Sequence, residues 1–221
     1  MVRESFIKYI KALEKEVTQM GEMVIVAINR SVEALKTLDA DQAKRVIADD
    51  ALINRKRWDI EEKCVNLIAT QQPVASDLRE ILAILCIVTD LERMGDYAGG
   101  IGKIVIMHGA EPLIKPLVDI PRMAEKGVSM LKKSLDAFVR RDAQAAATIS
   151  GEDDEVDLLY EQVYRVLLNY MIENPRTITR ATYLIWVAHN LERFADHVTN
   201  ICERIIFLVT GALTEVNVSR Y

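Results

Sequence analysis

Apolar residues recur at intervals of three and four along almost the whole chain, the spacing of one face of a helix. The pattern breaks at only a few places, each rich in turn and capping residues, and the breaks predict six long helices. The first runs from about Glu4 to Leu38. Asp39 caps a second, with Gln42 three residues on to complete a capping box, and this helix ends near Gln71-Gln72-Pro73. Ser76 or Asp77 opens a third, which reaches about His108 and stops before Gly109, Pro112 and Pro116. A fourth begins near Asp119 with Pro121 in its first turn, a fifth follows Asp142, and Asn174-Pro175 separates it from a sixth capped by Thr177.

These six fall into two sets of three. Leu91-Glu92-Arg93-x-x-Asp96 returns as Leu191-Glu192-Arg193-x-x-Asp196, an offset of 100. Asp39, Asp49-Asp50 and Asn54 return as Asp142, Glu152-Asp153 and Asp157, offset by 103. The fold class expected is all-α, two tandem, homologous three-helix bundles, each with its own core. Residues 1–110 form the first, 111–118 a proline-bearing linker, and 119–221 the second.

Composition agrees with a helical bundle and narrows the function. Half of the 221 residues are hydrophobic, so apolar material for a core is ample, and there are only nine glycines and five prolines. The formal charge is −5 and basic residues are interleaved with acidic ones, which argues against a nucleic-acid partner. The charged N-terminal stretch is unlike a signal peptide, and the longest strongly apolar run, Ile81 to Thr89, falls short of the roughly 20 residues needed to cross a bilayer. Cys64, Cys86 and Cys202 are widely spaced in apolar helical text, as expected of core thiols in a reducing compartment, and the cytoplasm is the expected location.

Acids stand where apolar residues belong. On the fifth helix the apolar seam reads Ile149, Asp153, Val156, Tyr160, Val163, Leu167, Tyr170; the matching seam of the second is Val46, Asp50, Ile53, Arg57, Ile60, Cys64, Leu67. One turn on, on the same face, are Asn54 and Asp157. Beside the apolar seam of the sixth helix runs a stripe of His189, Glu192, Asp196, Thr199 and Glu203, repeated in the third as Thr89, Glu92, Asp96, Gly99 and Lys103. Carboxylates half withdrawn from water repel one another and persist only with a proton, an arginine or a cation. Two oxygen-rich metal sites are therefore expected, one of Asp50, Asn54, Glu92 and Asp96, the other of Asp153, Asp157, Glu192 and Asp196. The first is the poorer, with Asn54 in place of an acid and Lys103 where the second copy has Glu203. The competing reading is ordinary ion pairing of Glu92 and Glu192 with Arg57, Arg93 or Arg193.

Gly95 and Gly102, on the seam of the third helix with Ala98, predict close approach of a neighbouring backbone. His108 and His197 have no partner at metal spacing and are expected at the surface, whereas His189 is an outside candidate for a ligand.

The chain resembles the PhoU family, the regulators associated with the high-affinity phosphate ABC transporter. The resemblance rests on Gln72-Pro73-Val74-Ala75-Ser76-Asp77-Leu78-Arg79, on Asp90-Leu91-Glu92-Arg93-Met94-Gly95-Asp96-Tyr97-Ala98, and on the run from Leu191 to Glu203. It covers essentially the whole chain. It implies E/D-x-x-x-D motifs that hold multinuclear clusters of iron or zinc, or in some members magnesium or manganese, and the motifs fall here on Glu92 and Asp96, Glu192 and Asp196, and Asp153 and Asp157. Asp50 to Asn54 departs from the acid-only pattern. The resemblance also implies a negative regulator of the phosphate-starvation response, modulating the transporter through its ATPase subunit and contacting a sensor histidine kinase. It further implies a homodimer whose membrane association runs only through those partners.

Two other function classes are open. A carboxylate-bridged di-iron enzyme would use Glu-x-x-His motifs, and the sequence has none; nor has it a Gly-x-Ser-x-Gly or Gly-x-x-x-x-Gly-Lys motif. No catalytic role is expected. A metal-free helical adaptor would carry the acidic stripes as solvated faces.

Overall fold

A computed structural model describes residues 2–213. Among them are seven α-helices and one 3₁₀ turn, and no strand: α1 (Val2–Thr37), α2 (Ala40–Gln71), α3 (Ser76–His108), α4 (Asp119–Arg140), α5 (Ala143–Ser150), α6 (Asp153–Glu173), the 3₁₀ turn Pro175–Thr177 and α7 (Ile178–Thr210). Two tandem helical bundles are thus present, α1 to α3 and α4 to α7. The expected second bundle includes residues 214–221, which lie outside the described residues.

The duplication is visible atom by atom at the first turn of each bundle. Leu38 and Arg141 both take left-handed backbone angles (φ 53° and 55°) that close α1 and α4. The amides of Asp39 and Asp142 then reach back to the carbonyls of Ala34 and Ala137, each at 2.9 Å. Asp39 accepts from the amides of Asp41 and Gln42, and Asp142 from that of Ala145, so each starts the next helix. Buried Ser31 and Ser134 donate to Ile28 and Leu131 in the same way, 2.8 Å in both.

Three local expectations are corrected. Gln42 does not complete a capping box; its side-chain amide donates to the carbonyl of Arg30, 2.9 Å away, and ties α2 to α1. Thr177 does not cap α7. Its hydroxyl turns back to the carbonyls of Tyr170 and Asn174, sealing the end of α6, while Asn174 caps the 3₁₀ turn. The expected fifth helix is kinked into α5 and α6 at Gly151-Glu152. Helical angles persist there, but hydrogen bonding tightens to three-residue spacing, Glu152 N to Ile149 O at 3.0 Å and Glu155 N to Glu152 O at 3.3 Å. Ala48 holds the matching place in the unbroken α2. Glycine's poorer helix propensity, about 1 kcal/mol against alanine, is the local cause.

The core also differs from the expectation of one per copy. Buried side chains form a single apolar cluster through both bundles, from Phe6 on α1 to Leu208 on α7. The packing of α3 against α7 joins the halves. Asp90 meets residues 197 and 200, while a β-carbon at position 100 would meet Asn190 Oδ1 at 3.1 Å. The two helices therefore run antiparallel about an internal pseudo-two-fold axis, and Tyr97 meets its own repeat equivalent, His197. Close approach at the α3 glycines is as expected: a β-carbon on Gly102 would stand 3.1 Å from the carbonyl oxygen of Ala43 on α2.

Candidate metal centres

In each copy the last helix of the bundle, α3 or α7, sets its Glu-x-x-x-Asp beside the acid on the preceding helix, α2 or α6. In the second copy Asp153 opens α6 with Asp154 and Glu155, where the positive end of the helix dipole favours anions. Burial overrides that help. Asp153 is 5% exposed, and loss of water, followed by repulsion from Asp157, Asp196 and Glu192, pushes its carboxyl up to about 7. Glu192 is likewise pushed up to about 7, by burial first and then by Asp196 and Asp157, with Arg193 opposing. Asp157 and Asp196 are raised too, chiefly by burial. All four expected residues thus sit within one another's field.

The first copy repeats the arrangement with more compensation. Asp50 is raised by burial and then by Asp96, against a hydrogen bond of 3.0 Å donated by the Asn54 amide. Its Oδ1 lies 3.3 Å from where a β-carbon of Gly95 would stand, so the glycine makes room for it. Glu92 is paired with Arg57 at 3.2 Å and lies 3.7 Å from the Arg93 guanidinium. Ion pairing of the kind weighed against metal therefore exists here. In the second copy Arg193 pairs with Asp196 at 2.9 Å, and the ion contact of Glu192 among the described residues is with His189, at 3.3 Å.

Whether the residues suit a cation can be tested on the oxygens left over. Asp50 Oδ1, Glu92 Oε2, Asp153 Oδ1 and Glu192 Oε2 are all buried and accept no hydrogen bond, with Arg93 Nε 3.7 Å from Glu92 Oε2 and His189 Nδ1 3.3 Å from Glu192 Oε2 outside bonding geometry. They form two matched pairs in equivalent places. A buried carboxylate oxygen without a donor costs about 1–3 kcal/mol or more, so such a pair is suited to a proton or a hard cation. Among the described residues no three His, Cys, Asp or Glu side chains are already set in a coordinating group, so the acids are gathered without being preformed. Asn54 uses its amide nitrogen on Asp50, which leaves its carbonyl oxygen as its potential ligand atom.

The histidines depart from expectation. His108 is not at the surface: it is 6% exposed at the end of α3, with its ring 6.3 Å from that of Tyr183. His197 is largely buried, in a network that sequence reading missed. Its Nδ1–H donates to Asp90 Oδ1 at 2.8 Å, which leaves Nε2 to accept from the Tyr97 hydroxyl at 3.3 Å. Arg193 bonds Tyr97 as well as Asp196, so the network leads from the α3–α7 seam to the second acid cluster. The available signal was that Tyr97 and His197 share one repeat position, as two residues astride a two-fold axis must.

Fold and site together define a duplicated helical-bundle protein with one acid cluster per copy. Comparison with known proteins identifies the class. The model of the PhoU domain matches residues 17–105 and again 120–205. The phosphate-specific transport system accessory protein PhoU homolog of Rhizobium meliloti is 37% identical, covering 96% of this chain and 90% of the relative. The protein of the same name from Clostridium acetobutylicum is 38% identical over 98% of this chain and all of its own length. The crystal structure of the phosphate transport system regulatory protein PhoU from Streptococcus pneumoniae superposes with a TM-score of 0.89 at 32% identity, covering 95% of this chain and 99% of that one. PhoU from Pseudomonas aeruginosa gives 0.87 at 36% identity, with 94% and 100% covered. The chain belongs to the PhoU family.

Proposed function

We propose that this chain is an accessory regulator of phosphate-specific transport, a protein that works through contacts and not through catalysis, and that its two acid clusters bind metal. The family membership and the names carried by its relatives support the first part. For the second, the carrying observation is the matched pairs of buried, unbonded carboxylate oxygens on Asp50 and Glu92 and on Asp153 and Glu192. Asp50, Asn54, Glu92 and Asp96 would hold one centre and Asp153, Asp157, Glu192 and Asp196 the other. An iron, zinc, magnesium or manganese ion there would supply positive charge beyond that of the neighbouring arginines, locking α2 to α3 and α6 to α7. On this reading the acidic face, once neutralised, is the surface offered to the transporter's ATPase subunit and to a sensor histidine kinase, as a homodimer on the cytoplasmic side. No helix among the described residues is long and apolar enough to cross a membrane, which fits attachment through partners.

Elemental analysis of the aerobically purified chain tests the metal part: stoichiometric metal is expected, and its loss in the Asp153→Ala, Glu192→Ala double variant. A pull-down with the transporter ATPase and the kinase tests the rest, and equal capture by parent and double variant would count against a metal-bearing docking face. The metal-free adaptor has support of its own in the Arg57–Glu92 and Arg193–Asp196 pairs, and predicts no metal in either protein.

A further inference from the structure

The two acid clusters are matched in position but not in their neighbours, and the difference centres on one residue. Arg57, on the seam of α2, places Nη1 3.2 Å from Glu92 Oε1, while its Nε donates to Glu61 Oε1 at 2.7 Å. The guanidinium is thereby held between two carboxylates, three-quarters buried, with its charge directed at the cluster. The repeat offset puts Tyr160 and Tyr164 at the places of Arg57 and Glu61, with ring centroids 6.4 Å apart and tilted planes. Among the described residues no guanidinium pairs with Glu192 as Arg57 does with Glu92; Arg193 turns to Asp196 instead. Glu192 has His189, a residue more than half exposed, and the field of Arg193 against repulsion from Asp196 and Asp157.

Two further differences point the same way. Asn54 donates to Asp50 where the second copy has another carboxylate, Asp157. Lys103 lies close enough to Asp50 to favour its ionised form, and Glu203 stands at the matching place. The repeat-equivalent arginines also differ: Arg93 lies 3.9 Å from Asp96 and 3.7 Å from Glu92, whereas Arg193 pairs closely with Asp196, at 2.9 Å, and leaves Glu192 without a guanidinium contact among the described residues.

We infer that Arg57 serves as a built-in cation of the first cluster, so that a metal ion fills the second cluster first and enters the first only by displacing the guanidinium from Glu92. The inference rests on the metal-binding reading above and adds an order to it. Its physical basis is competition. A cation entering the second cluster meets four acids with one arginine, Arg193 on Asp196, whereas one entering the first meets three acids already faced by Arg57 and Arg93 and must displace the Arg57–Glu92 ion pair. A regulator built this way would have one centre held constitutively and another filled only at higher metal concentration.

Equilibrium dialysis of the metal-free full chain against Zn²⁺ and, separately, Mn²⁺, with bound metal counted by elemental analysis, tests the order. The parent should show a tight class of sites, removed by Asp153→Asn, and a weaker class removed by Glu92→Gln. Arg57→Gln should tighten the weaker class by about tenfold and leave the tight one alone. The reciprocal Tyr160→Arg should loosen the tight class by a similar factor, which keeps the test decisive if either variant folds poorly. Unchanged affinities in both variants would overturn the role of Arg57, and loss of the tight class in Glu92→Gln instead of Asp153→Asn would overturn the order. If the parent binds neither metal, the metal-binding reading falls and the inference with it.

Discussion

His197 donates from Nδ1 to Asp90 Oδ1 across 2.8 Å, joining α7 to α3 at the axis of the internal duplication. Both side chains are nearly nine-tenths buried, and Asn200 and Tyr97 complete the network. Replacing Asp90 by alanine would leave the imidazole and the Asn200 amide without their acceptor. A loss of about 2 kcal/mol is expected, read as a lower urea midpoint with unchanged slope. An unshifted midpoint would show that the network contributes no net stability.

Arg141 makes a second bond between the halves. It pairs with Glu80, 6% exposed on α3, and with Glu14 on α1 at 3.3 Å. Glu14 is raised by burial, and Arg141 is the largest influence opposing that. Arg141→Met should cost about 2 kcal/mol, less than a fully buried pair because the guanidinium is itself partly exposed. Most of that loss comes from stranding Glu80, so Glu80→Gln in the Arg141→Met background should recover part of it, measured as a double-mutant cycle.

The acids of the second cluster give the metal-free protein an unusual pH dependence. Asp153 and Glu192 hold their protons up to about 7 in the folded chain, whereas the unfolded chain gives them up near 4. Between those values the folded state binds more protons, so stability falls as pH rises, and this contribution is lost by the time pH passes 7. Glu16 and Glu152, lowered by their lysine partners, act in the opposite sense but only at more acid pH. The metal-free chain should therefore unfold at lower urea at pH 8 than at pH 6, and Asp153→Asn should flatten the difference. A parent midpoint that rises over this range would contradict the assignment.

Thiol chemistry offers a check on the shared core. Cys64 and Cys202 are fully buried, and burial pushes both thiols up to about 12. Cys86 is only partly buried. Alkylation of the native protein at pH 8 should modify Cys86 first, with Cys64 and Cys202 labelled only on unfolding, as followed by intact mass.

Most of the architecture was legible because long helices announce themselves by period, and because a duplicated chain states its plan twice. Asp39 and Asp142 marked helix starts through a side chain that caps locally, and both do so. Gln42 and Thr177 depart from the local pattern because each side chain bonds a more distant group, the Arg30 carbonyl or the end of α6. His108 looked superficial because its burial comes from α7, 75 residues away in sequence at Tyr183. In the candidate site, the faces carrying the acids followed from spacing alone. The choice Arg57 makes between Glu61 and Glu92 did not, since it depends on how α2 lies against α3.

The single apolar cluster that runs through both copies has a consequence for how the molecule comes apart. Beads on a string can be lost one at a time; here, removing either copy would expose the inner faces of α3 or α7 to water over most of their length. The halves are thus bound to one fate, melting in one transition, and a disturbance at either acid cluster has a continuous solid medium through which to reach the other.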